Sequence, residues 1–220
     1  MDTAQAPNPF RIHRLFVPAL FSLGAIAMNA VANDLVSFDL MKAGAPPEGW
    51  TAGVTGSGTP RWTVEAESTA PSPPNVLKQS GSGTFPWCVL KNASAEDGFV
   101  EVKFKPLSGR EDQAGGVVWR WKDGNRYYVA RANALENNVS LYYTEGGSRK
   151  TIKYVDAPVA AQRWHTLRVE FAGTRIKVIL DGTPRIELDD RHIEGAGAVG
   201  VWTKADSVTL FDDFAHGRAK

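Results

Sequence analysis

The 220-residue chain has a single cysteine, Cys88, so no internal disulfide can staple the fold and stability must come from buried surface. Cys88 follows Trp87 in an apolar run and reads as a small buried hydrophobe rather than a reactive thiol. A surplus of one charge is missing too. The chain has 25 Lys and Arg against 24 Asp and Glu, with no basic run, which excludes the electrostatic footprint of a nucleic-acid partner. Helical periodicity is absent, and the best candidate, 132–137, is one turn at most. His165, His192 and His216 are scattered, and there is no H-E-x-x-H, P-loop or G-x-S-x-G. The run Gly195-Ala196-Gly197-Ala198-Val199-Gly200 spells G-x-G-x-x-G, but a strand pattern follows it where a dinucleotide site needs a helix, so it reads as a connection into the strand carrying Trp202.

Only one long hydrophobic run exists. Arg11, His13 and Arg14 precede an apolar stretch at 15–28, followed by Ala30-Val31-Ala32. A basic start, a short apolar centre and a small-residue site predict a secretory signal over residues 1–32, cleaved before Asn33. Pro18 and Gly24 interrupt the run, which argues against a membrane anchor. Export is then expected, to a periplasm or to the outside. Without residues 1–32 the counts fall to 23 basic and 23 acidic, so the mature chain is neutral and suits a neutral partner. Residues 33–220 are expected to form one domain with no membrane span, since no charged or low-complexity linker divides them.

What the chain does have is alternation. Leu167, Val169 and Phe171 alternate with Arg168 and Glu170, then Ile176, Val178 and Leu180 with Arg175 and Lys177, the period of half-buried antiparallel strands. Ala172-Gly173-Thr174 and Asp181-Gly182 supply hairpin turns. Similar runs at 99–104, 116–121, 127–132, 139–143 and 150–154, with turn signals about every ten residues, predict an all-β sandwich. The proline-rich 53–83 stretch contains strand-like pieces at 61–65 and 75–78 and is expected to wrap the sandwich as irregular edge.

Alternation also predicts a site. Tyr127, Val129, Arg131 and Asn133 share one strand face, and Arg120 lies on the preceding strand of the same hairpin, where it is expected to stand close to them. Guanidinium forks hold hydroxyls and carboxylates in fixed geometry, which suits a sugar or sugar acid. The competing reading is a face whose arginines pair with Glu101, Glu136 or Asp112. Trp202 shares a phase with Lys204 and is a candidate ring platform beside it. In Phe211-Asp212-Asp213-Phe214, whichever face is buried carries an acid unless a bulge intervenes.

Gly116 to Arg120 with Tyr127 to Asn133, Trp164 to Val169, and Gly200 to Asp206 with Phe211 to Phe214 resemble, in that order, the concanavalin A-like, laminin-G-like jelly rolls. Within these they resemble the 3-keto-disaccharide hydrolase-like domain family. The resemblance spans roughly residues 35–215 and implies a two-sheet antiparallel jelly roll with a carbohydrate across its concave face, here held by Arg120, Arg131, Asn133, Tyr127, Trp202 and Lys204. It also implies structural calcium as one answer for Asp212 and Asp213. An enzymatic alternative follows from the family name: Glu136 as base on a 3-keto glycoside, with Arg120 and Arg131 stabilising the enolate. The Glu-x-Asp-x-x-Glu run of related glucanases is absent, because His192 stands where the second glutamate belongs after Glu187-Leu188-Asp189. A non-catalytic adhesion module is the third possibility.

Overall fold

The computed structural model describes residues 1–4 and 34–218, so the expected signal falls outside the described residues except for its first four. Residues 1–30 and 31–220 are separate units, and the second holds all the regular structure described.

In chain order the strands are β1 (Asp34–Val36), β2 (Trp50–Thr59), β3 (Trp62–Ala66), β4 (Asn75–Gln79), β5 (Ser82–Leu90), β6 (Gly98–Ser108), β7 (Ala114–Asp123) and β8 (Arg126–Asn133). They continue as β9 (Asn138–Glu145), β10 (Ser148–Asp156), β11 (His165–Ala172), β12 (Arg175–Leu180), β13 (Thr183–Asp189), β14 (Ala198–Trp202) and β15 (Val208–Gly217). The first sheet runs β13-β12-β11-β6-β15-β4-β3, with β1 also on β15, and the second runs β10-β9-β8-β7-β14-β5-β2. Every pairing is antiparallel, which is the two-sheet jelly roll expected from the alternation.

The hairpin β11–β12 forms as its period dictates, with Leu167, Val169, Phe171, Ile176, Val178 and Leu180 turned inward and the charged residues between them outward. Asp181 and Gly182 take positive φ at the turn into β13. Across the layer these residues meet Val117, Trp119, Tyr128 and Ala130 of the second sheet, and each large apolar side chain so buried contributes about 1.5–3 kcal/mol. The 53–83 stretch does lie at the edges, since β2 and β3 close the two sheets. It is more regular than its composition indicates: β2 is a full ten-residue strand despite three glycines. Gly53 is there because a Cβ would meet the Trp87 ring at 2.3 Å.

Two bulges re-aim side chains. In β15 the register against β6 shifts between Asp212 and Ala215, with Asp213 at φ 46°, so that Phe211 and Phe214 both enter the core where plain alternation would put them on opposite faces. In β7 the register against β14 shifts between Val118 and Trp121, with Arg120 at φ 45°. Gly197 packs against that bulge, its Cβ position only 2.4 Å from the Arg120 carbonyl carbon.

Cys88 is fully buried, and burial pushes its thiol pKa far up. The folded protein is expected to resist a thiol reagent at pH 8 and to release one reactive thiol only on unfolding. Fast labelling of the native protein would contradict this packing.

Candidate functional site: the hollow of the second sheet

The outer face of the second sheet is the unusual surface. β8 and β9 are buried on both faces, and a second apolar cluster of Trp87, Val89, Val118, Tyr127, Val129, Tyr142 and Trp202 lies opposite the main core. Curvature explains it. The Arg149 guanidinium of β10 sits 4.7 Å from the Phe85 ring of β5, although four strands separate them, and Thr55 of β2 lies 2.7 Å from the Tyr127 hydroxyl of β8 across three strands. Side chains so far apart in the sheet meet only if it curls, which makes this face the concave one. Thr55 also donates to the carbonyl of Gly124, tying β2 to the β7–β8 turn.

The aromatic part of the hollow is filled by its own side chains. Trp202 is fully buried beneath Phe85, with ring centroids 5.8 Å apart, and Arg149 lies over Tyr142, Phe85 and Trp202 at 4.2, 4.7 and 5.7 Å. Tyr127 is equally buried, and burial raises its phenol pKa against the hydrogen bond it shares with Thr55. Neither the Trp202 nor the Tyr127 ring presents a face to a ligand. This corrects the expected platform.

The open part is polar and is built at the ends of β7, β8 and β9. Arg131 donates from Nη2 to Glu136 at 2.6 Å and to the Asn138 side-chain Oδ1 at 2.9 Å, while its Nη1 lies 3.5 Å from Asp112. Asn133 donates to Asp112 at 2.6 Å, and Lys204 donates to the other Asp112 oxygen. Asn138 passes the network on, donating to Glu136 at 2.7 Å and to the Tyr154 hydroxyl at 3.0 Å. Asp206 fixes the approach of Asp112 by accepting the amides of Arg110, Glu111 and Asp112 at 2.7, 3.0 and 3.2 Å.

Burial sorts the two carboxylates. Burial pushes the Asp112 carboxyl up, and the hydrogen bond and charge of Lys204 and the charge of Arg131 offset this only in part. Burial also acts on Glu136, but the hydrogen bond from Asn138 and the charge and hydrogen bond of Arg131 outweigh it and hold the group below its ordinary pKa. Asp112 is sealed off, whereas the side chains of Glu136 and Lys204 are 42% and 26% exposed and Tyr154 is 48% exposed. Acceptor and donor heads thus face solvent side by side.

Of the residues expected from alternation, Arg131, Asn133 and Lys204 do come together, and Glu136, expected as an ion-pair partner or as a base, joins them. Asn133 is fully buried and holds the β8–β9 turn by accepting the Leu135 amide at 3.0 Å. Arg120 does not join them. The β7 bulge turns it to the opposite face, where it donates to the carbonyls of Glu96, Ile193 and Gly173 at 3.1, 3.0 and 2.7 Å and stacks 5.7 Å from Phe171. Arg120 therefore ties loops together behind the sheet, and Trp121 takes the hollow side instead.

Asp212 and Asp213 diverge as well. Asp212 accepts the Ser72 and Asp213 amides, both at 2.8 Å, while Asp213 pairs with Lys103 at 2.6 Å. Among the described residues no group of three or more His, Cys, Asp or Glu is placed to hold a metal, so the calcium expectation has no geometric support. A cavity of about 230 Å³ beside Glu170, Arg175, Lys177 and Glu187 opens on the first sheet, where Arg175 and Glu187 satisfy each other in water.

Asn138, Tyr154 and Arg149 were not singled out by sequence. The β10 residues carry no clear period, and their approach to β8 and β5 depends on the curl of the sheet.

Two antiparallel layers with a curled second sheet define a concanavalin A-like jelly roll, and solved structures share that fold. The carbohydrate binding module CBM66 from Bacillus subtilis superposes with a TM-score of 0.62 at 22% identity, covering 76% of this chain and 93% of that one. A β-1,3-1,4-glucanase (lichenase) derived from a mouse hindgut metagenome does so with a TM-score of 0.58 at 11% identity, covering 84% and 98%. In sequence, a levanase of Bacillus subtilis (strain 168) is 27% identical over 127 residues, covering 57% of this chain and 18% of that protein. The chain thus corresponds to under a fifth of that relative's length. No protein-family model matches, so the narrower 3-keto-disaccharide hydrolase-like resemblance gains no support. Among the described residues no helix is long and apolar enough to cross a membrane.

Proposed function

We propose that residues 33–220 form an exported carbohydrate-binding domain whose ligand sits at the polar end of the hollow, on Glu136, Lys204 and Tyr154, with buried Arg131 holding Glu136 in place from below. One observation carries this reading: a hydrogen-bonded network, anchored on buried Asp112, presents the Glu136 carboxylate, the Lys204 ammonium and the Tyr154 hydroxyl to solvent in fixed positions beside an aromatic stack. Sugar hydroxyls both donate and accept, so a seat of mixed character suits them, and prior ordering of its heads lowers the entropy cost of binding. The fold shared with a carbohydrate binding module and the partial similarity to a levanase support the same reading.

Binding is favoured over hydrolysis by the state of the carboxylates. Glu136 held below its ordinary pKa is a weak base, and Asp112, with no exposed surface, cannot touch a glycosidic oxygen as acid.

The test is calorimetry of the purified protein against levan, mixed-linkage β-glucan and uronate oligosaccharides. At least one is expected to bind without turnover, and Glu136→Gln should weaken it about tenfold or more, since a charge-assisted hydrogen bond is lost. Because the folded pKa of Glu136 is depressed, its charged form and the affinity that depends on it should persist through neutral pH and fade only as pH drops below the usual carboxylate range. Unchanged affinity in Glu136→Gln, or silence toward every glycan, would sink the proposal.

A further inference from the structure

Among the described residues Arg149 is the half-buried cation of the hollow that has no counter-ion. Arg131 has Asp112 and Glu136, Lys204 has Asp112, and Arg120 behind the sheet has three carbonyls. Among the described residues Arg149 makes no ion pair and no side-chain hydrogen bond, and its Nη1 is shut away from solvent without a partner. Its guanidinium lies against Tyr142, Phe85 and Trp202. Aromatic faces attract a cation but leave its N–H groups unused, because those groups point outward in the plane of the fork. A half-buried guanidinium with one donor shut away and unused is costly to keep, and burial accordingly lowers its pKa. Arg131 lies 5.6 Å from the same Tyr142 ring that Arg149 covers at 4.2 Å, which places Arg149 at the border of the polar seat. Around that seat stand three cations, Arg131, Lys204 and Arg149, and two carboxylates, Asp112 and Glu136. Asp206 is taken up by the amides of residues 110–112, so Arg149 is left without an anion of its own.

We propose that Arg149 receives a carboxylate carried by the ligand, so that the hollow selects a sugar acid of the uronate class over its neutral counterpart. The inference rests on the carbohydrate-binding reading and names the chemical class that the seat takes. A planar carboxylate matches the planar fork with two parallel hydrogen bonds, which a lone sugar hydroxyl cannot do. The aromatic rings hold the fork in one orientation, so little side-chain freedom is lost when the anion arrives. Glu136 and Lys204 then serve the neighbouring hydroxyls.

The experiment compares trigalacturonic acid with its methyl ester, which keeps the skeleton and removes the charge, in calorimetric titrations at low and high salt. The acid is expected to bind the wild-type protein about tenfold or more tightly than the ester, with the advantage shrinking as salt rises. In Arg149→Gln the acid should lose about tenfold or more and the ester far less, so that the acid's advantage disappears, and Arg149→Lys should retain part of it through charge alone. Near-UV circular dichroism and melting temperature establish that each variant is folded, and the comparison of acid with ester within one variant is independent of modest stability loss. Equal affinity of acid and ester, or an advantage that survives Arg149→Gln, overturns the proposal. If levan or β-glucan binds in a Glu136-dependent manner and neither galacturonate form does, the acid seat falls while the carbohydrate-binding reading stands. If no glycan binds at all, both fall.

Discussion

Arg131→Met should lower unfolding stability by about 3 kcal/mol or more, a loss larger than any single sugar contact would explain. The reason is Asp112. With no exposed surface, this carboxylate depends on Arg131, Lys204 and Asn133 for every compensating charge or donor. Removing the guanidinium leaves the buried acid with a partly exposed lysine and one amide, and breaking a buried pair typically costs about 3–5 kcal/mol. Glu136 loses its 2.6 Å partner in the same step, and Asn138 loses the donor to its side-chain Oδ1. Urea unfolding of four proteins checks this: wild type, Arg131→Met, Asp112→Asn, and the double variant. The double variant is expected to lose clearly less than the two single losses combined, because neutralising Asp112 removes the charge that Arg131 compensates. A single-variant loss under about 1 kcal/mol, or simple additivity, would show that the network is a solvated surface pair of the ordinary weak kind.

Trp202→Ala should cost about 3–5 kcal/mol, as large aromatic truncations in closed sites do. The indole is fully buried, stacks on Phe85, and lies beneath Arg149. One wall is backbone: a Cβ at Gly116 would lie 3.3 Å from this ring, so the sheet is already in close contact on that side and cannot collapse into the space left behind. If Trp202 were instead an exposed platform for a sugar, its loss would fall on affinity and leave stability within about 0.5 kcal/mol. Trp202→Phe separates the two roles further. It should recover part of the stability by keeping a ring under Arg149, which a thermal melt with near-UV circular dichroism would register.

Both predictions concern residues that alternation placed on the right face. Tyr127, Arg131 and Asn133 do line one side of β8, and Lys204 does reach their neighbourhood. Alternation could not say how deep that side lies. In a flat half-buried sheet, Tyr127 and Trp202 would stand in water, and here they are enclosed because the second sheet curls until β10 and β2 close over it. Nor could it locate Arg120. One positive φ in a bulge inverts the side-chain phase from that point on, so the arginine expected beside Arg131 goes behind the sheet and Trp121 takes its place. The same device in β15 sends Phe211 and Phe214 to one core. In β2, glycine, serine and threonine hid a long strand whose pairing with β5 is fixed by neighbours rather than by its own propensity.

The sequence by itself determined the all-β class, the hairpins from β7 onward and the set of side chains sharing the face of β8, because a two-residue period and turn-forming glycines act locally. Tertiary structure alone decided which of those side chains meet water, which arginine is paired and which is not, that Asn138 and Tyr154 join Glu136, and that Arg149 lies over Tyr142. Those facts depend on sheet curl and on single-residue bulges. Each is set by contacts between strands far apart in the chain, and such contacts leave no period in the sequence.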